Sequence, residues 1–287
     1  MLFSRAPAKL NLSLSVLGRR GDGYHDLASL VAFARFGDGL WLEPGPGLAL
    51  DVAGPTAAGA GAASDNLVLA AARHLSALAP GLCAGRFRLL KRLPAAAGIG
   101  GGSSDAAAAL RLLARLNALA LDDPRLMQAA IATGADVPVC LAGCARMMSG
   151  KGEQLGPPLA LPLLFAVLVN PGVAAETRKV FAAMGLRPGE TALSAPPPRL
   201  EARDAPAWIA ALRRSGNDME DAACSLAPVI VDVLAVLAAA RGCGIARMSG
   251  SGATCFGLFS ERRAAMRAGR AIARAHPRWW VRTSVLG

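Results

Sequence analysis

Lysine is scarce in this chain, although basic residues are plentiful. Of the 31 basic side chains among 287 residues only four are lysines, and the others are arginines. Against 20 acidic residues they give a formal net charge of +11. Such a charge predicts either an arginine-rich solvated surface or an anionic partner such as a nucleotide, a nucleic acid or a membrane surface. Because lysines are so few, each one that stands in a distinctive motif is worth inspecting.

Aromatic residues are also few, at 5% of the chain, and most of them lie in apolar segments. A basic surface that binds RNA needs exposed aromatic side chains interleaved with its cations. An RNA-binding module is the alternative that the charge raises, and this composition disfavours it. We therefore expect no nucleic-acid partner.

No apolar run is long enough to cross a membrane. The most apolar stretch, residues 159–169, is interrupted by Pro162 and falls far short of the roughly 20 residues that a helical span needs. The N-terminal residues do not combine a basic segment with an apolar run, as a secretory signal would. We expect a cytoplasmic protein with no membrane association.

The six cysteines show no metal-binding pattern. The two closest sets, Cys140 with Cys144 and Cys243 with Cys255, lack a histidine at zinc spacing. They are typical of reduced packing residues in a cytosolic protein, and no metal held by the protein alone is expected.

Apolar residues make up 53% of the chain, which is enough to form a substantial hydrophobic core.

Residues 7–17 alternate between apolar and polar side chains, which predicts a half-buried strand whose polar face carries Lys9 and Asn11. Further strands are predicted near 27–42, 86–93, 163–169, 245–248, 254–259 and 280–285, and helices near 66–78, 104–120, 124–133, 177–184, 208–214, 229–241 and 262–275.

This mixture predicts an α+β fold in two halves, residues 1–155 and 156–287, joined in the Pro-rich stretch 155–162. Ser64 or Asp65 is the expected cap of the helix near 66–78. Residues 43–63 and 185–206 are expected to be irregular or loop.

The central motif runs from Pro94 to Asp105 (PAAAGIGGGSSD), between a strand and a helix. Consecutive glycines let a backbone approach an anion closely, and the following helix offers free N–H groups and the positive end of its dipole. This pattern predicts a phosphate-binding loop rather than a linker. A P-loop is excluded because it requires a glycine five positions before the glycine of Gly150-Lys151, and this chain has Ala145 there. A dinucleotide-binding fingerprint that starts at Gly98 is also excluded, because it requires a third glycine where this chain has Ser103.

Two further motifs leave alternatives open. Asp136, in the segment Gly134-Ala-Asp-Val-Pro138, is either a helix cap or a positioned base. The segment from Ser249 to Thr254 (SGSGAT) is either an ordinary hairpin or, with the first loop, a second wall of a nucleotide cleft.

The chain's single tyrosine, Tyr24, adjoins His25 in a Gly-Asp-Gly-Tyr-His turn. A histidine in a loop is often merely exposed to solvent, but adjacent aromatic and imidazole rings are also suited to stacking on a nucleobase and hydrogen bonding with it. The segment from Asn217 to Glu220 is interpreted as the start or cap of a helix, in preference to a metal site.

In this order the motifs resemble those of the GHMP family of small-molecule kinases, and the match covers essentially the whole chain. The three family motifs correspond to residues 7–11, 94–104 and 249–254. The family usually has glycine where this chain has Ala96, so the start of the loop is bulkier here. The turn at residues 18–25 and the segment 134–138 are similar to the subgroup whose acceptor is a CDP-linked methylerythritol.

The resemblance implies a two-domain fold with the active site in the cleft between the domains. It implies transfer of phosphate from ATP, with Mg²⁺ carried by the ATP, to the 2-hydroxyl of that acceptor in the non-mevalonate isoprenoid pathway. Asp136 would be the catalytic base and Lys9 the cation that stabilises the transferring group. A monomer or weak homodimer is expected.

The same resemblance assigns binding residues. The expected substrate contacts are Asn11, Tyr24, His25, Thr177 and Phe181, with Phe181 on the opposite face of a cytosine sandwich. The expected nucleotide contacts are Pro94, Ala95, Ala96, Ala97, Gly98, Ile99, Gly100, Gly101, Gly102, Ser103 and Ser104, together with Asn66 and Lys91 on the adenine side.

Overall fold

A computed structural model describes residues 1–192, 194 and 204–286 of the chain. Within those residues the strands are β1 (Leu2–Arg19), β2 (His25–Pro44), β3 (Leu48–Ala53), β4 (Gly85–Leu90), β5 (Arg146–Gly150), β6 (Gln154–Pro158), β7 (Leu164–Asn170), β8 (Ile245–Met248), β9 (Cys255–Phe259) and β10 (Trp280–Leu286). The α-helices are α1 (Leu67–Leu78), α2 (Gly101–Leu116), α3 (Pro124–Thr133), α4 (Val137–Ala142), α5 (Thr177–Ala183), α6 (Ala205–Leu212), α7 (Glu220–Leu226), α8 (Val229–Ala238) and α9 (Arg262–Ala275).

The chain folds into two compact units that are not contiguous in sequence. Unit 1 contains Met1–Ala8, Gly37–Ala95 and Gly100–Gly143, and unit 2 contains Lys9–Phe36, Ala96–Ile99 and the described residues from Cys144 onward. The long strands β1 and β2 each contribute residues to both units. These units differ from the predicted division into residues 1–155 and 156–287, because residues 9–36 are grouped with the strands of unit 2.

In unit 1 the sheet consists of the second half of β2, β3, β4 and the start of β1, which pairs with β2, and helix α1 packs against β3. The second half of β2 pairs antiparallel with β4, from Gly39 opposite Leu90 to Pro44 opposite Gly85. Strand β3 pairs parallel with β4, and lies in the stretch that was expected to be irregular. The alternation of Leu48, Leu50 and Val52 is the sequence signal that identifies it. Helices α1 to α4 pack on one another, and α2 is alanine-rich, which permits close approach.

In unit 2 the first half of β2 leads through β10 and β7 to β9 and β8, with antiparallel pairing throughout. Strand β5 pairs antiparallel with residues 27–31 of β2, and β6 pairs antiparallel with β5. Every residue of β7 is buried, which explains the apolar run over its first six residues. Helix α9 exposes its arginines to solvent and packs against this sheet, with five buried residues: Ala264, Ala265, Ala268, Gly269 and Ile272.

The polar face of β1 departs from expectation, because it is buried rather than exposed. Lys9 retains 3% of its exposure and Asn11 1%. Buried polar groups need partners, and β2 supplies them: the Asn11 amide donates to the Ser29 hydroxyl at 2.7 Å, which donates to the Ser13 carbonyl at 2.7 Å. The strand is therefore enclosed on both faces.

Most predicted helices and strands are present, with two local corrections. Helix α1 is capped by Asn66, whose side chain accepts from the Val68 amide, and not by Ser64 or Asp65. Helix α2 begins at Gly101 inside the glycine run instead of at Ser104. Part of the predicted loop 185–206 lies outside the described residues. No helix in the described ranges is long and apolar enough to cross a membrane.

Candidate active site

Three separated motifs meet within unit 2 through the hydroxyl of Ser249. This hydroxyl accepts a hydrogen bond from the Asn11 backbone N–H at 3.1 Å and donates to the Gly98 carbonyl at 2.9 Å. The Lys9 N–H donates to the Ile99 carbonyl at 2.9 Å. The first strand, the glycine loop and the second Gly/Ser loop are thereby fixed to one another. The second loop is at once the hairpin between β8 and β9 and a neighbour of the first loop.

The contact between the two loops depends on the absence of a side chain at Gly98. Its φ is +71°, in the left-handed region, and a Cβ placed there would collide with the backbone of Ser249 and Gly252. The Thr254 N–H also donates to the Ala97 carbonyl at 3.2 Å. Only glycine meets both requirements without displacing the second loop.

Ala96 occupies the left-handed region as well, with φ +46°. An L-residue with a Cβ pays about 1 kcal/mol or more for that conformation. The backbone geometry therefore explains why glycine suits this position. The loop accommodates the methyl group of Ala96, but with a strained backbone. Its carbonyl accepts from the Ala175 N–H at 3.4 Å.

The second loop is held from outside by amide and hydroxyl side chains. The Asn217 amide donates to the carbonyls of Met248 at 2.9 Å and Gly250 at 2.8 Å, and Thr177 and Ser251 share a hydrogen bond of 2.8 Å. The Asn217 side chain also accepts from the Met219 N–H at the start of α7, as predicted. Sequence reasoning found that local role and missed the bonds to the loop, which join residues 31 and 33 positions apart.

Lys9 is held in place by Asn11. Its ammonium donates to the Asn11 side-chain oxygen at 3.1 Å, while the Asn11 amide nitrogen donates to Ser29. Asn11 therefore orients the lysine, in addition to its expected role as a substrate contact.

In unit 1 the N-terminus of α2 has the features of an anion site. Gly100 is its N-cap in the left-handed conformation, no side chain caps the helix, and its first turn contains no acidic residue. The first N–H groups of this 16-residue helix are therefore left without a capping side chain, and the positive end of the dipole coincides with them. Ser104 differs from expectation, because its hydroxyl is buried and donates to the Pro7 carbonyl at 2.6 Å.

The two adenine-side residues, Asn66 and Lys91, have structural partners. The Asn66 side chain caps α1 at 3.0 Å from the Val68 nitrogen. The Lys91 ammonium is buried between Asp38 and Asp105. Burial opposes its charge, but the two carboxylates outweigh that effect and raise the pKa of Lys91. These partners account for both side chains without a nucleotide.

Asp136 stands at the N-cap position of α4, but its side chain makes no capping hydrogen bond. Of the two alternatives left open by the sequence, the geometry thus does not support the cap. The side chain is half-buried. Asp136 belongs to unit 1 and Lys9 to unit 2, and their convergence stays a prediction.

The turn that carries Tyr24 and His25 lies in unit 2 beside Phe181. The His25 and Phe181 rings stack in parallel with centroids 4.1 Å apart. Tyr24 is 59% exposed, and the Lys151 ammonium lies 4.1 Å from the centre of its ring. His25 covers one face of Phe181, so in this arrangement a base has no room between these two rings. Lys151 is an additional cation at this position.

The imidazole of His25 is suited to recognising a neutral polar ligand. Its Nε2 is buried and has no hydrogen-bond partner in the structure. Burial, and secondarily the charge of Arg19, lower the pKa of His25, so the ring is neutral at pH 7. A neutral imidazole with an unused polar atom can exchange a hydrogen bond with a base edge.

Within the described ranges, no three His, Cys, Asp or Glu side chains are grouped closely enough to hold a metal ion. Mg²⁺ carried by a nucleotide remains an expectation, and we assign it no protein ligand.

Comparison with known proteins identifies the family. The chain matches the model of the GHMP kinases N terminal domain over residues 66–144 and that of the GHMP kinases C terminal over residues 198–278. It is 59% identical over 283 residues to a 4-diphosphocytidyl-2-C-methyl-D-erythritol kinase of Methylorubrum extorquens, and this match covers 98% of this chain and 97% of that protein. The chain belongs to the 4-diphosphocytidyl-2-C-methyl-D-erythritol kinase family of GHMP kinases.

Solved structures agree with this membership. A crystal structure of 4-(cytidine 5'-diphospho)-2C-methyl-D-erythritol kinase has a TM-score of 0.78 and 37% identity, over 100% of this chain and 99% of that one. The homoserine kinase of Cytophaga hutchinsonii has a TM-score of 0.67 at 20% identity, over 97% of this chain and 92% of that one, which shows a shared fold alone. The predicted α+β GHMP kinase fold is thereby confirmed.

Proposed function

We propose that this member of the 4-diphosphocytidyl-2-C-methyl-D-erythritol kinase family transfers the γ-phosphoryl group of ATP to the 2-hydroxyl of 4-diphosphocytidyl-2-C-methyl-D-erythritol, a step of the non-mevalonate isoprenoid pathway. The observation that carries the proposal is the 59% identity over nearly the full length of a kinase of that name. The Tyr24 and His25 turn supports the acceptor, because a polyol or amino-acid acceptor has no need of a stacking ring beside an unused imidazole nitrogen.

In the proposed reaction the acceptor oxygen attacks the γ-phosphorus, the bond from that phosphorus to the β,γ-bridging oxygen breaks, and ADP leaves. Asp136 accepts the hydroxyl proton. Lys9, oriented by Asn11, stabilises the developing negative charge, and the N-terminus of α2 with the glycine loop holds the phosphates. Mg²⁺ that arrives with ATP would neutralise phosphate charge.

The substrate assignments follow the same logic. Tyr24 presents an exposed ring that can stack on cytosine, and His25 presents a neutral nitrogen that can form a hydrogen bond with it. Phe181 supplies a second aromatic surface, which His25 and the base would share. Thr177 acts through Ser251 on the second loop. We further propose a cytoplasmic monomer or weak homodimer, and the six free thiols support a reducing compartment.

The experiment is ADP release by the purified protein with Mg-ATP and 4-diphosphocytidyl-2-C-methyl-D-erythritol, with homoserine, mevalonate and galactose as parallel acceptors. Turnover with the cytidine compound alone is expected. Turnover with another acceptor alone would contradict the proposed substrate, whereas the assignment as a small-molecule kinase would stand.

In the same assay Asp136→Ala is expected to abolish turnover and leave ATP affinity nearly unchanged, since the base acts on the acceptor proton. Asp122→Ala, which removes an exposed carboxylate of the same unit, serves as the matched control and should behave as wild type. Retained turnover in Asp136→Ala would remove Asp136 from this role.

A further inference from the structure

Unit 1 contains a cluster of buried charges that the proposed reaction does not use. Asp38 lies in β2, Lys91 directly follows β4, and Asp105 lies in the second turn of α2; they are 2%, 4% and 2% exposed, respectively. The Lys91 ammonium donates to the Asp38 carboxylate and, at 2.7 Å, to the Asp105 carboxylate. We call these three residues the Asp38 cluster.

The cluster ties together the two ends of the glycine loop. Lys91 immediately precedes the segment that enters the loop, and Asp105 belongs to the helix that leaves it. The second oxygen of Asp38 accepts hydrogen bonds from the backbone N–H groups of Arg92 at 2.5 Å and Leu93 at 2.9 Å. One carboxylate therefore fixes the incoming backbone, and one ammonium joins that segment to α2.

The position of the ammonium also explains how it could influence phosphate binding without touching a nucleotide. A Cβ placed on Gly101 would lie 3.5 Å from the Lys91 nitrogen, so the ammonium lies against the first residue of α2. The ammonium is therefore beside the N–H groups that open the helix.

Buried ion pairs are weak sources of stability, because desolvation offsets most of the attraction, and apolar residues often replace them without loss. Their value lies more often in fixing one arrangement. Here burial above all raises the pKa of Asp105, with the carboxylate of Asp38 contributing, and one Asp105 oxygen is buried without a partner. Asp105 thus tolerates the neutral form, and an amide of the same shape can replace it.

We propose that the Asp38 cluster is a positioning device that holds the start of α2 in the conformation that binds the phosphates of ATP, and that Lys91 acts through this cluster rather than by contact with the adenine. The inference deepens the proposed function and rests on it to the extent that ATP is the phosphoryl donor.

The test is calorimetric titration of the full chain with Mg-ATP in the absence of acceptor, together with the melting temperature of each variant. Asp105→Leu removes one of the two acceptors of Lys91 and should weaken ATP binding about tenfold, whereas Asp105→Asn keeps an acceptor oxygen and should stay within about threefold of wild type. Asp51→Leu is the matched control, because Asp51 pairs with Arg86 between β3 and β4 but is exposed, and it should change nothing.

Titration with Mg-GTP and with inorganic tripolyphosphate separates positioning from base contact. Equal weakening of all three ligands in Asp105→Leu supports action on the phosphate site, and a loss confined to ATP overturns the proposal. Should Asp105→Leu fail to fold, Asp38→Asn decides: its amide keeps an oxygen for the backbone but turns a donor toward the ammonium, and a similar loss is expected, with Asp51→Asn as its control.

The outcomes distinguish the two proposals. Failure of the wild type to bind ATP would overturn the proposed function and the inference with it. Binding by the wild type together with unchanged affinity in Asp105→Leu and Asp38→Asn would overturn the inference alone.

Discussion

The glycine loop is held differently at its two parts. Residues 96–99 lie in unit 2, where neutral groups hold them: backbone carbonyls accept from the Ser249 hydroxyl and from the N–H groups of Lys9 and Thr254. Residues 100–104 lie in unit 1, where they open α2 next to the buried charges of Lys91 and Asp105.

Glycine therefore serves two physical purposes within a few residues. At Gly98 it allows a left-handed backbone and close packing against the second loop. In the run from Gly100 it leaves the first N–H groups of a helix accessible to an anion. The first purpose concerns the stability of the fold, and the second concerns binding of the ligand. Replacement of glycine by alanine is therefore expected to lower stability in the first part of the loop and to lower mainly ligand affinity in the second.

The largest effect is expected from Gly98→Ala. A methyl group adds left-handed strain and displaces the backbone of Ser249 or Gly252, so the free energy of unfolding should fall by about 3 kcal/mol or more, with loss of ATP binding. Chemical denaturation and ATP titration measure both.

Gly172→Ala is the matched control for Gly98→Ala. Its φ is +85° in the same unit, but nothing lies within 4 Å of the added methyl, so only strain of about 1–2 kcal/mol is expected. Equal losses in the two variants would show that crowding by the second loop is unimportant.

A pH-dependent effect is expected from the charged part of the loop. Burial, opposed by Lys91 and assisted by Asp38, raises the pKa of Asp105 from 3.8 to about 8. A carboxyl that binds its proton more tightly when folded contributes stability at low pH and loses it as the pH rises between about 4 and about 8.

Asp105→Asn should remove this contribution, so that stability falls less steeply over that range than in wild type, with a difference of at most about 1.4 kcal/mol per pH unit. Denaturation midpoints at several pH values provide the measurement. Parallel profiles for the two proteins would contradict a titrating Asp105.

The smallest effect on stability is expected from Gly102→Ala. Here the backbone is helical, and the added methyl meets only a Leu67 side chain at 3.4 Å. Stability should be unchanged or rise by up to about 1 kcal/mol, whereas ATP affinity should fall, because the methyl narrows the approach of the phosphates. A clear loss of stability in denaturation would contradict the helical interpretation of this part of the loop.

The local parts of the site were accessible to sequence analysis. A glycine run between an alternating strand and an alanine-rich helix predicts an anion loop, and alternation along residues 7–17 predicts the strand that carries Lys9 and Asn11. Strand β3 also had a readable alternation and was missed. These features depend on neighbouring residues, whose spacing sets the period of a strand or helix.

The sequence by itself determined which motifs the chain has and in what order, and these are enough to recognise the kinase family. Each motif is a short run of neighbouring residues, so it can be identified without knowing what it contacts. Only the tertiary structure decided that the polar face of β1 is buried, that Asn217 holds the second loop, and that Lys91 pairs with carboxylates 53 and 14 residues away. Such pairings depend on which strands and helices lie side by side, and local periodicity carries no information about partners so distant along the chain.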